Sequence, residues 1–212
     1  MSENKVKEIF QKEMCVYTSC YCEENVWKLC QMIQVKDPSL LADTKVVFVS
    51  NFAKKVAFWS QKSGKDNKNV PVVWDYHVIL IHKGQKDWLT YDLDTTLDFP
   101  TSIEDYFMKS FCPDIKKSSS YKPMFRVVDS EDFLEHFSSD RSHMKNKYGE
   151  WLADPPQYPA IVCKGVRSNL KKYINMVELN NKNFGKVFKC DEFFESFCSG
   201  SSSSEDKVLE DL

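Results

Sequence analysis

The first strong pattern along the chain is an amphipathic helix over residues 23–34. Apolar residues recur there at the intervals that align on one face of a helix, at Val26, Leu29, Cys30 and Ile33. Glu23 and Glu24 fall in the first turn, where acidic side chains suit the positive end of the helix dipole. The pattern therefore predicts a helix that begins directly after Cys22.

Short runs of β-branched and aromatic residues further along the chain predict strands. They cover residues 45–50, 56–59, 70–82, 88–93, 124–128 and 187–189. Residues 70–82 are apolar on both faces, as in a central strand that is covered on both sides. Together with residues 88–93 they predict an antiparallel hairpin whose turn lies at residues 83–86.

Three later segments predict helices, at residues 103–111, 130–138 and 191–197. Ser130 is the expected N-cap of the second of them. Strands in the middle of the chain, with helices towards both ends, favour the α+β class. In that class a mostly antiparallel sheet carries helices packed on it.

Length and composition narrow the domain organisation and the function classes. The 212 residues suit one domain, which we expect to span residues 14–198, after an N-terminal extension at 1–13 and before a disordered, Ser-rich acidic tail at 199–212. Lys and Arg number 29 against 31 Asp and Glu. This balance gives no support for a nucleic-acid or anionic-membrane surface, which needs clustered positive charge.

The apolar runs are too short for a signal peptide or for the roughly 20 apolar residues of a membrane span. We therefore expect a soluble protein of the cytoplasm that can also reach the nucleus. No apolar stripe is left over for a subunit interface, so a monomer is expected.

Eight cysteines need an explanation, because Cys15, Cys20, Cys22 and Cys30 crowd into sixteen residues. Disulfides are not expected in a reducing compartment, so each cysteine is a buried filler, a metal ligand or a nucleophile. Structural zinc fits poorly, because the spacings differ from the usual ligand pairs and no second pair follows. No metal site is expected.

Cys22 differs from the other cysteines in its position at the start of the predicted helix. Free backbone N–H groups and the positive dipole end would lower the pKa of a thiol there and favour the thiolate. Cys30 lies on the apolar stripe and is expected in the core. Five of the other thiols are expected to be fillers: Cys15, Cys112, Cys163, Cys190 and Cys198.

A nucleophilic thiol needs a base, and the hairpin offers one at His77. If the turn centres between Gly84 and Gln85, His77 stands opposite Asp92 on one face, with side-chain roots about 5 Å apart. The same register opposes Asp75 to Asp94, and Asp94 is the alternative orienting acid. A buried structural His–Asp pair is the other interpretation, and a slip of one residue would separate the two.

The other histidines are weaker candidates. His143 is the next candidate after His77, but it follows a helix in a polar segment where Asp140 and Arg141 can pair, which favours a solvated or locally hydrogen-bonded loop. His82 ends a strand and His136 lies in an amphipathic helix, so both are expected to be structural.

Four blocks of the sequence resemble the protein N-terminal glutamine amidohydrolase family. Residues 15–30, CVYTSCYCEENVWKLC, resemble its N-terminal signature, and residues 74–82, WDYHVILIH, resemble its central strand. Residues 91–100, YDLDTTLDFP, and residues 139–144, SDRSHM, match two more blocks in the same order. The resemblance extends from about residue 15 to about residue 197.

The resemblance implies a papain- or transglutaminase-like α-β-α sandwich with a Cys-His-Asp triad. Carried over block by block, the nucleophile is Cys22, the base is His77 and the orienting acid is Asp92. The implied reaction deamidates the side chain of an N-terminal Gln on a protein or peptide through a Cys thioester, giving Glu and ammonia. It needs neither a metal nor an organic cofactor, and it implies a role in protein turnover by N-terminal recognition.

Three carboxylates could accept the α-ammonium of such a substrate: Asp75, Asp94 and Glu23. Each is as readily explained as a structural or solvated carboxylate.

Two other functions stay open. One is a thiol peptidase or transglutaminase with the same triad, and the other is a binding module whose triad is vestigial.

Overall fold

The computed structural model describes residues 10–64, 70–111, 119–163 and 165–199. Most of the predicted extension, Cys112 and nearly all of the predicted acidic tail lie outside these residues. Within the predicted extension, Phe10 is buried and packs on the Tyr91 ring at a centroid distance of 4.8 Å.

An antiparallel sheet of six strands forms the centre of the protein, with a separate two-stranded sheet beside it. In chain order the strands are β1 (Thr44–Ser50), β2 (Val56–Phe58), β3 (Val72–Trp74), β4 (Tyr76–Lys83), β5 (Trp88–Tyr91), β6 (Thr101–Ser102), β7 (Met124–Asp129) and β8 (Lys186–Lys189). The large sheet has the order β6-β5-β4-β1-β7-β8, and the small sheet pairs β2 with β3. Every strand pair in both sheets is antiparallel.

Four helices of the described residues confirm the predicted helical segments, and the short helix Leu170–Tyr173 lies where the sequence predicts none. The helices are α1 (Cys22–Lys36), α2 (Ile103–Ser110), α3 (Ser130–His136), α4 (Leu170–Tyr173) and α5 (Cys190–Phe193), and α5 continues into a π-helical turn, Phe194–Cys198. Among the described residues, no helix has the length and apolar character needed to cross a membrane.

Helices cover both faces of the large sheet. On one face, alternate residues of β1 and β4 such as Phe48 and Leu80 pack against the apolar stripe of α1 and against α3. On the other face, residues such as Val49 and Ile81 pack with α2, α5 and the small sheet. The molecule is therefore a mixed α/β protein with a mostly antiparallel central sheet, as the sequence predicts.

The predicted strand at residues 70–82 is divided in two at Asp75. β4 is an internal strand of the large sheet, buried on both faces as predicted, but β3 leaves it and pairs with β2 instead. The break is held by hydrogen bonds that a continuous ladder would not make. The hydroxyl of Ser50 donates to the Asp75 carbonyl at 2.6 Å, and the Tyr76 N–H donates to the Asp75 carboxylate at 3.0 Å.

The β4–β5 register differs from the predicted one by two residues. Tyr91 stands opposite Leu80, whereas the predicted register opposes it to Val78. The hairpin turn lies later than predicted and is closed by a hydrogen bond from the Gly84 N–H to the Asp87 carbonyl at 2.9 Å. The predicted facing pairs at 77 with 92 and at 75 with 94 are therefore wrong. A shift of two residues nevertheless keeps each side chain on its predicted face.

The predicted cap of α3 is wrong by one residue. Asp129 occupies the N-cap position, and its carboxylate binds the Lys45 ammonium. Ser130 is the first residue of the helix, and its buried hydroxyl donates to the Leu41 carbonyl at 3.0 Å. Burial of the hydroxyl against another segment explains why Ser130 does not serve as the cap.

Candidate active site

Cys22 is the first residue of α1, where the chain turns from an irregular segment into the helix. Tyr21 is the N-cap, and the turn before it is tied to the helix by Asn25. The Asn25 amide accepts from the Thr18 N–H at 2.8 Å and donates to the Thr18 carbonyl at 2.9 Å. This double hydrogen bond fixes the approach of the chain, and with it the position of the thiol.

The surroundings of Cys22 oppose ionisation of the thiol in the free protein. Burial raises its pKa well above the ordinary value, and the carboxylates of Glu23 and Asp94 raise it further. The sulfur lies 3.6 Å from Glu23 Oε2, while the backbone N–H of Val78 acts in the opposite direction by hydrogen bonding to it. The predicted lowering of the pKa is therefore wrong, because burial and the carboxylates of Glu23 and Asp94 raise it.

His77 and Asp92 form a buried pair, with His77 Nε2 at 2.9 Å from Asp92 Oδ1. The same carboxylate oxygen accepts from the Asp94 N–H at 2.9 Å. The other oxygen accepts from the Tyr106 hydroxyl at 2.8 Å and from the Gln61 amide at 3.4 Å. Four donors thus satisfy one buried carboxylate.

The pair shifts the pKa of both members towards the ionised forms. Burial alone would lower the pKa of His77, but the neighbouring carboxylate of Asp92 raises it above its ordinary value. Burial likewise disfavours the Asp92 carboxylate, but His77 and the donors from Asp94 and Tyr106 hold its pKa below the ordinary value. Asp92 therefore makes His77 a stronger base and stabilises the imidazolium that forms when Nδ1 accepts a proton.

The ring of His77 is held by aromatic packing as well as by Asp92. Its centroid lies 4.7 Å from the Trp74 ring and 5.5 Å from the Phe58 ring. Because Nε2 is engaged by Asp92, Nδ1 is the ring nitrogen left to exchange a proton with another group.

One cavity of about 880 Å³ brings Cys22 and His77 together. Of the other predicted site residues, Asp75 and Asp94 also line it, whereas Asp92 is buried and is hydrogen-bonded to His77 at Nε2. Glu23 is fully buried behind the cavity wall.

His143, a weaker candidate in the sequence, is also a residue of this site. Its Nε2 lies 3.3 Å from Glu23 Oε1, and its side chain is one of those that line the cavity. The Tyr76 hydroxyl donates to the other Glu23 oxygen at 3.0 Å. The solvated loop predicted for His143 is therefore wrong. The signal available in the sequence was the SDRSHM block.

Arg141 anchors the segment that carries His143. Its guanidinium donates to both oxygens of the buried Glu24, from Nε at 2.8 Å and from Nη2 at 2.7 Å. The predicted pairing of Arg141 with Asp140 is wrong, since Asp140 lies 3.5 Å from Arg167 on the surface. Consecutive acidic residues of α1 therefore bind Arg141 and His143.

Three side chains offer ligand atoms close enough together for a metal ion: within the described residues, those of His77, Asp92 and Asp94 lie within 4.8 Å of one another. These atoms are already engaged, since His77 and Asp92 bind each other and the Tyr17 hydroxyl donates to Asp94 at 2.5 Å. An ion there would have to replace those hydrogen bonds, so the donor set fits a His–Asp pair better than a metal centre.

Of the other described cysteines, Cys20 is exposed in the cavity and the rest are buried or half-buried. All seven described cysteines are free thiols, and Cys30 is buried in the core as predicted. His82 is buried with Nδ1 at 2.9 Å from the Thr44 hydroxyl, and His136 Nε2 lies 2.7 Å from the Asn183 amide.

The chain is similar in sequence to known proteins of one family. The model of the N-terminal glutamine amidase family matches residues 17–197. The protein N-terminal glutamine amidohydrolase of Danio rerio is 42% identical over 184 residues, which cover 86% of this chain and 89% of the relative. The protein of that name from Homo sapiens is 39% identical over 190 residues, or 89% of this chain and 90% of the relative. That from Drosophila melanogaster is 41% identical over 184 residues, or 86% and 88%. The chain belongs to the N-terminal glutamine amidase family.

Proposed function

We propose that this protein deamidates the side chain of an N-terminal glutamine on proteins and peptides, giving N-terminal glutamate and ammonia. One observation carries the proposal. In a chain of this family, a thiol at a helix start and an imidazole oriented by a buried carboxylate line the same cavity. Nucleophile, base and orienting acid are the parts that thiol-dependent acyl transfer needs.

Cys22 is the nucleophile of the proposed reaction. Because the free thiol is held protonated, its proton passes to His77 Nδ1 as the sulfur attacks the side-chain amide carbon of the substrate. The N–H of Cys22 at the start of α1 is placed to stabilise the oxyanion that forms. The C–N bond then breaks, and the imidazolium gives its proton to the departing ammonia.

Hydrolysis of the resulting thioester completes the proposed cycle. His77 takes a proton from water, and the hydroxide so formed attacks the thioester carbon. The C–S bond breaks, the glutamate side chain is released, and the proton returns to sulfur. Asp92 keeps His77 in the tautomer with a proton on Nε2 and stabilises the imidazolium in both halves of the cycle.

We extend the proposal to the fold class and the setting. Helices on both faces of an antiparallel sheet, with the thiol on a helix that packs against the central strand β4, support a papain- or transglutaminase-like α-β-α sandwich over residues 14–198. The free cysteines suit a reducing compartment, so we place the protein in the cytoplasm with access to the nucleus. We further propose that the protein is a monomer and needs no cofactor. Its role in the cell would be in N-terminal-residue-dependent protein degradation.

The proposal is tested by incubating the protein with a Gln-first peptide and with the same peptide acetylated at its N-terminus. We expect ammonia release and conversion to a Glu-first peptide only with the free amine. Cleavage of the chain or cross-linking to an added amine would instead indicate a peptidase or a transglutaminase. A failure to act on either peptide would favour a binding module.

A further inference from the structure

A reaction confined to chain termini needs a group that accepts the substrate α-ammonium. Glu23, Asp75 and Asp94 all lie near the cavity, but their surroundings differ. Those differences identify one acceptor, and this inference rests on the proposed function.

Glu23 is unsuitable because its carboxylate is fully buried, although its Oε1 makes no hydrogen bond among the described residues. One oxygen faces the Cys22 sulfur and accepts from Tyr76, and the other lies 3.3 Å from His143. A substrate ammonium could reach it only by displacing side chains that form the cavity wall. Glu23 therefore acts within the protein, as the group that links Tyr76 and His143 to the start of α1.

Asp75 is unsuitable for the opposite reason. It is exposed at the break between β3 and β4, and its carboxylate accepts the N–H of the next residue, Tyr76. A carboxylate in water gains little from binding an ammonium, since solvent screens the attraction. Within the part of the chain that the structure describes, no hydrogen bond of Asp75 leads to the His77–Asp92 pair.

Asp94 is half-buried, lines the cavity and is fixed relative to the imidazole. Its N–H donates to the same Asp92 oxygen that binds His77, and its carboxylate accepts from the Tyr17 hydroxyl at 2.5 Å. Its carbonyl accepts from the Lys62 N–H at 2.8 Å. Among the described side chains no lysine or arginine forms an ion pair with it. The Lys62 ammonium, for example, donates to the Leu93 carbonyl at 2.7 Å.

We propose that Asp94, held by Tyr17, accepts the α-ammonium of the substrate and so restricts the reaction to an N-terminal glutamine. In an extended glutamine, four single bonds separate the α-nitrogen from the side-chain amide carbon, a span of about 5 Å. Asp94 lines the same cavity as Cys22 and acts electrostatically on its thiol, so a substrate with that carbon at Cys22 can place its ammonium at this carboxylate. An acylated or internal glutamine has no such charge and would leave Asp94 desolvated without a cation.

The bound ammonium also has an effect on the nucleophile. Asp94 is one of the carboxylates that raise the pKa of the free Cys22 thiol, after burial and Glu23. A cation bound at Asp94 offsets that negative charge, so the thiolate forms more readily once the correct substrate is in place. Asp94 thus opposes ionisation of the free thiol and favours it in the complex.

This dual effect makes the Asp94→Asn substitution a sharp test. For deamidation of a Gln-first peptide we expect kcat/KM to fall by about 10- to 100-fold, as for loss of a charge-assisted hydrogen bond. Alkylation of Cys22 by iodoacetamide in the free protein, followed by peptide mapping at neutral pH, should become faster. A residue that merely supports the fold would slow deamidation without speeding alkylation.

Controls separate this inference from the proposed function. Asp94→Glu keeps the charge and should recover part of the activity. Asp105→Asn, on the outer side of α2 where Asp105 pairs with Lys109, should leave both readouts unchanged. Asp94 would not be the acceptor if Asp94→Asn still preferred the free over the acetylated peptide as strongly as the wild type does. The same conclusion would follow if Asp75→Asn, and not Asp94→Asn, lowered kcat/KM by the expected amount. If the wild type failed on the free peptide, the proposed function itself would be wrong.

Discussion

Asp92 is the residue on which the order of the candidate site depends. A carboxylate removed from water is costly unless donors replace its hydration, and Asp92 has four. Two of these donors come from the site itself, His77 and the Asp94 N–H. The other two, Tyr106 and Gln61, belong to the surrounding core and loop. Catalytic geometry and folding stability are therefore linked at this side chain.

The Asp92–His77 pair predicts a specific dependence of stability on pH. The pKa of Asp92 is lowered on folding, so its contribution is complete above the ordinary value of 3.8 and is lost as the pH falls through the folded value. The pKa of His77 is raised, so its contribution is complete below 6.5 and is lost as the pH rises through the folded value. Wild type should therefore exceed Asp92→Asn in free energy of unfolding most between pH 3.8 and 6.5.

Urea unfolding of the two proteins across this range measures the effect. The difference between them should narrow at alkaline pH as the imidazolium is lost. A difference that stays constant from acid to alkaline pH would contradict a charged pair.

For single residues, the sequence predicts which side chains pair better than it predicts the pKa of a side chain. His77 and Asp92 fall on one face even though the assumed register is wrong, because an error of two residues preserves the alternation of side chains. The pKa of Cys22 could not be predicted in the same way. It depends on burial and on Asp94, a residue far along the chain.

The first turn of α1 is the element that joins the site to the rest of the molecule. It presents three consecutive functional groups, the thiol of Cys22 and the carboxylates of Glu23 and Glu24. The two carboxylates bind His143 and Arg141 respectively, and both are fully buried. The segment that forms one wall of the cavity is therefore held directly to the helix that carries the thiol.

Replacing Arg141 alone, so that Glu24 loses its ion-pair partner, should lower the free energy of unfolding strongly. Arg141→Ala would leave the Glu24 carboxylate buried without its guanidinium, which costs about 3–5 kcal/mol. The free energy of unfolding in urea measures this loss. Arg167→Ala removes an exposed arginine whose pair with Asp140 lies at the surface, and it should leave the unfolding midpoint nearly unchanged. Equal effects of the two substitutions would show that the buried pair has no special role.

Local patterns predicted the elements well but not their tertiary partners. Most helices and most strands lie where periodicity places them, because each buries a face that its own residues define. The break at Asp75 could not be seen, since β3 departs to pair with a separate strand, β2. The Arg141–Glu24 pair joins residues 117 positions apart, and no local spacing could identify it.

In the whole molecule, the large sheet and the helices on its two faces bring the residues of the site together from several elements. α1 supplies Cys22, β4 supplies His77, the segment after β5 supplies Asp92 and Asp94, and the 3₁₀ turn Ser142–Met144 supplies His143. Membership of the family and this convergence support one account, in which Cys22 alone among the eight cysteines performs the chemistry.

The most direct test of that account is ammonia release from a Gln-first peptide by wild type, Cys22→Ala and Cys20→Ala. Cys20 is a matched control, because it is an exposed thiol two residues away in the same cavity. The account predicts that Cys22→Ala loses deamidation while its circular dichroism and unfolding midpoint stay close to those of wild type, and that Cys20→Ala keeps most of the activity. Wild-type turnover by Cys22→Ala would contradict it.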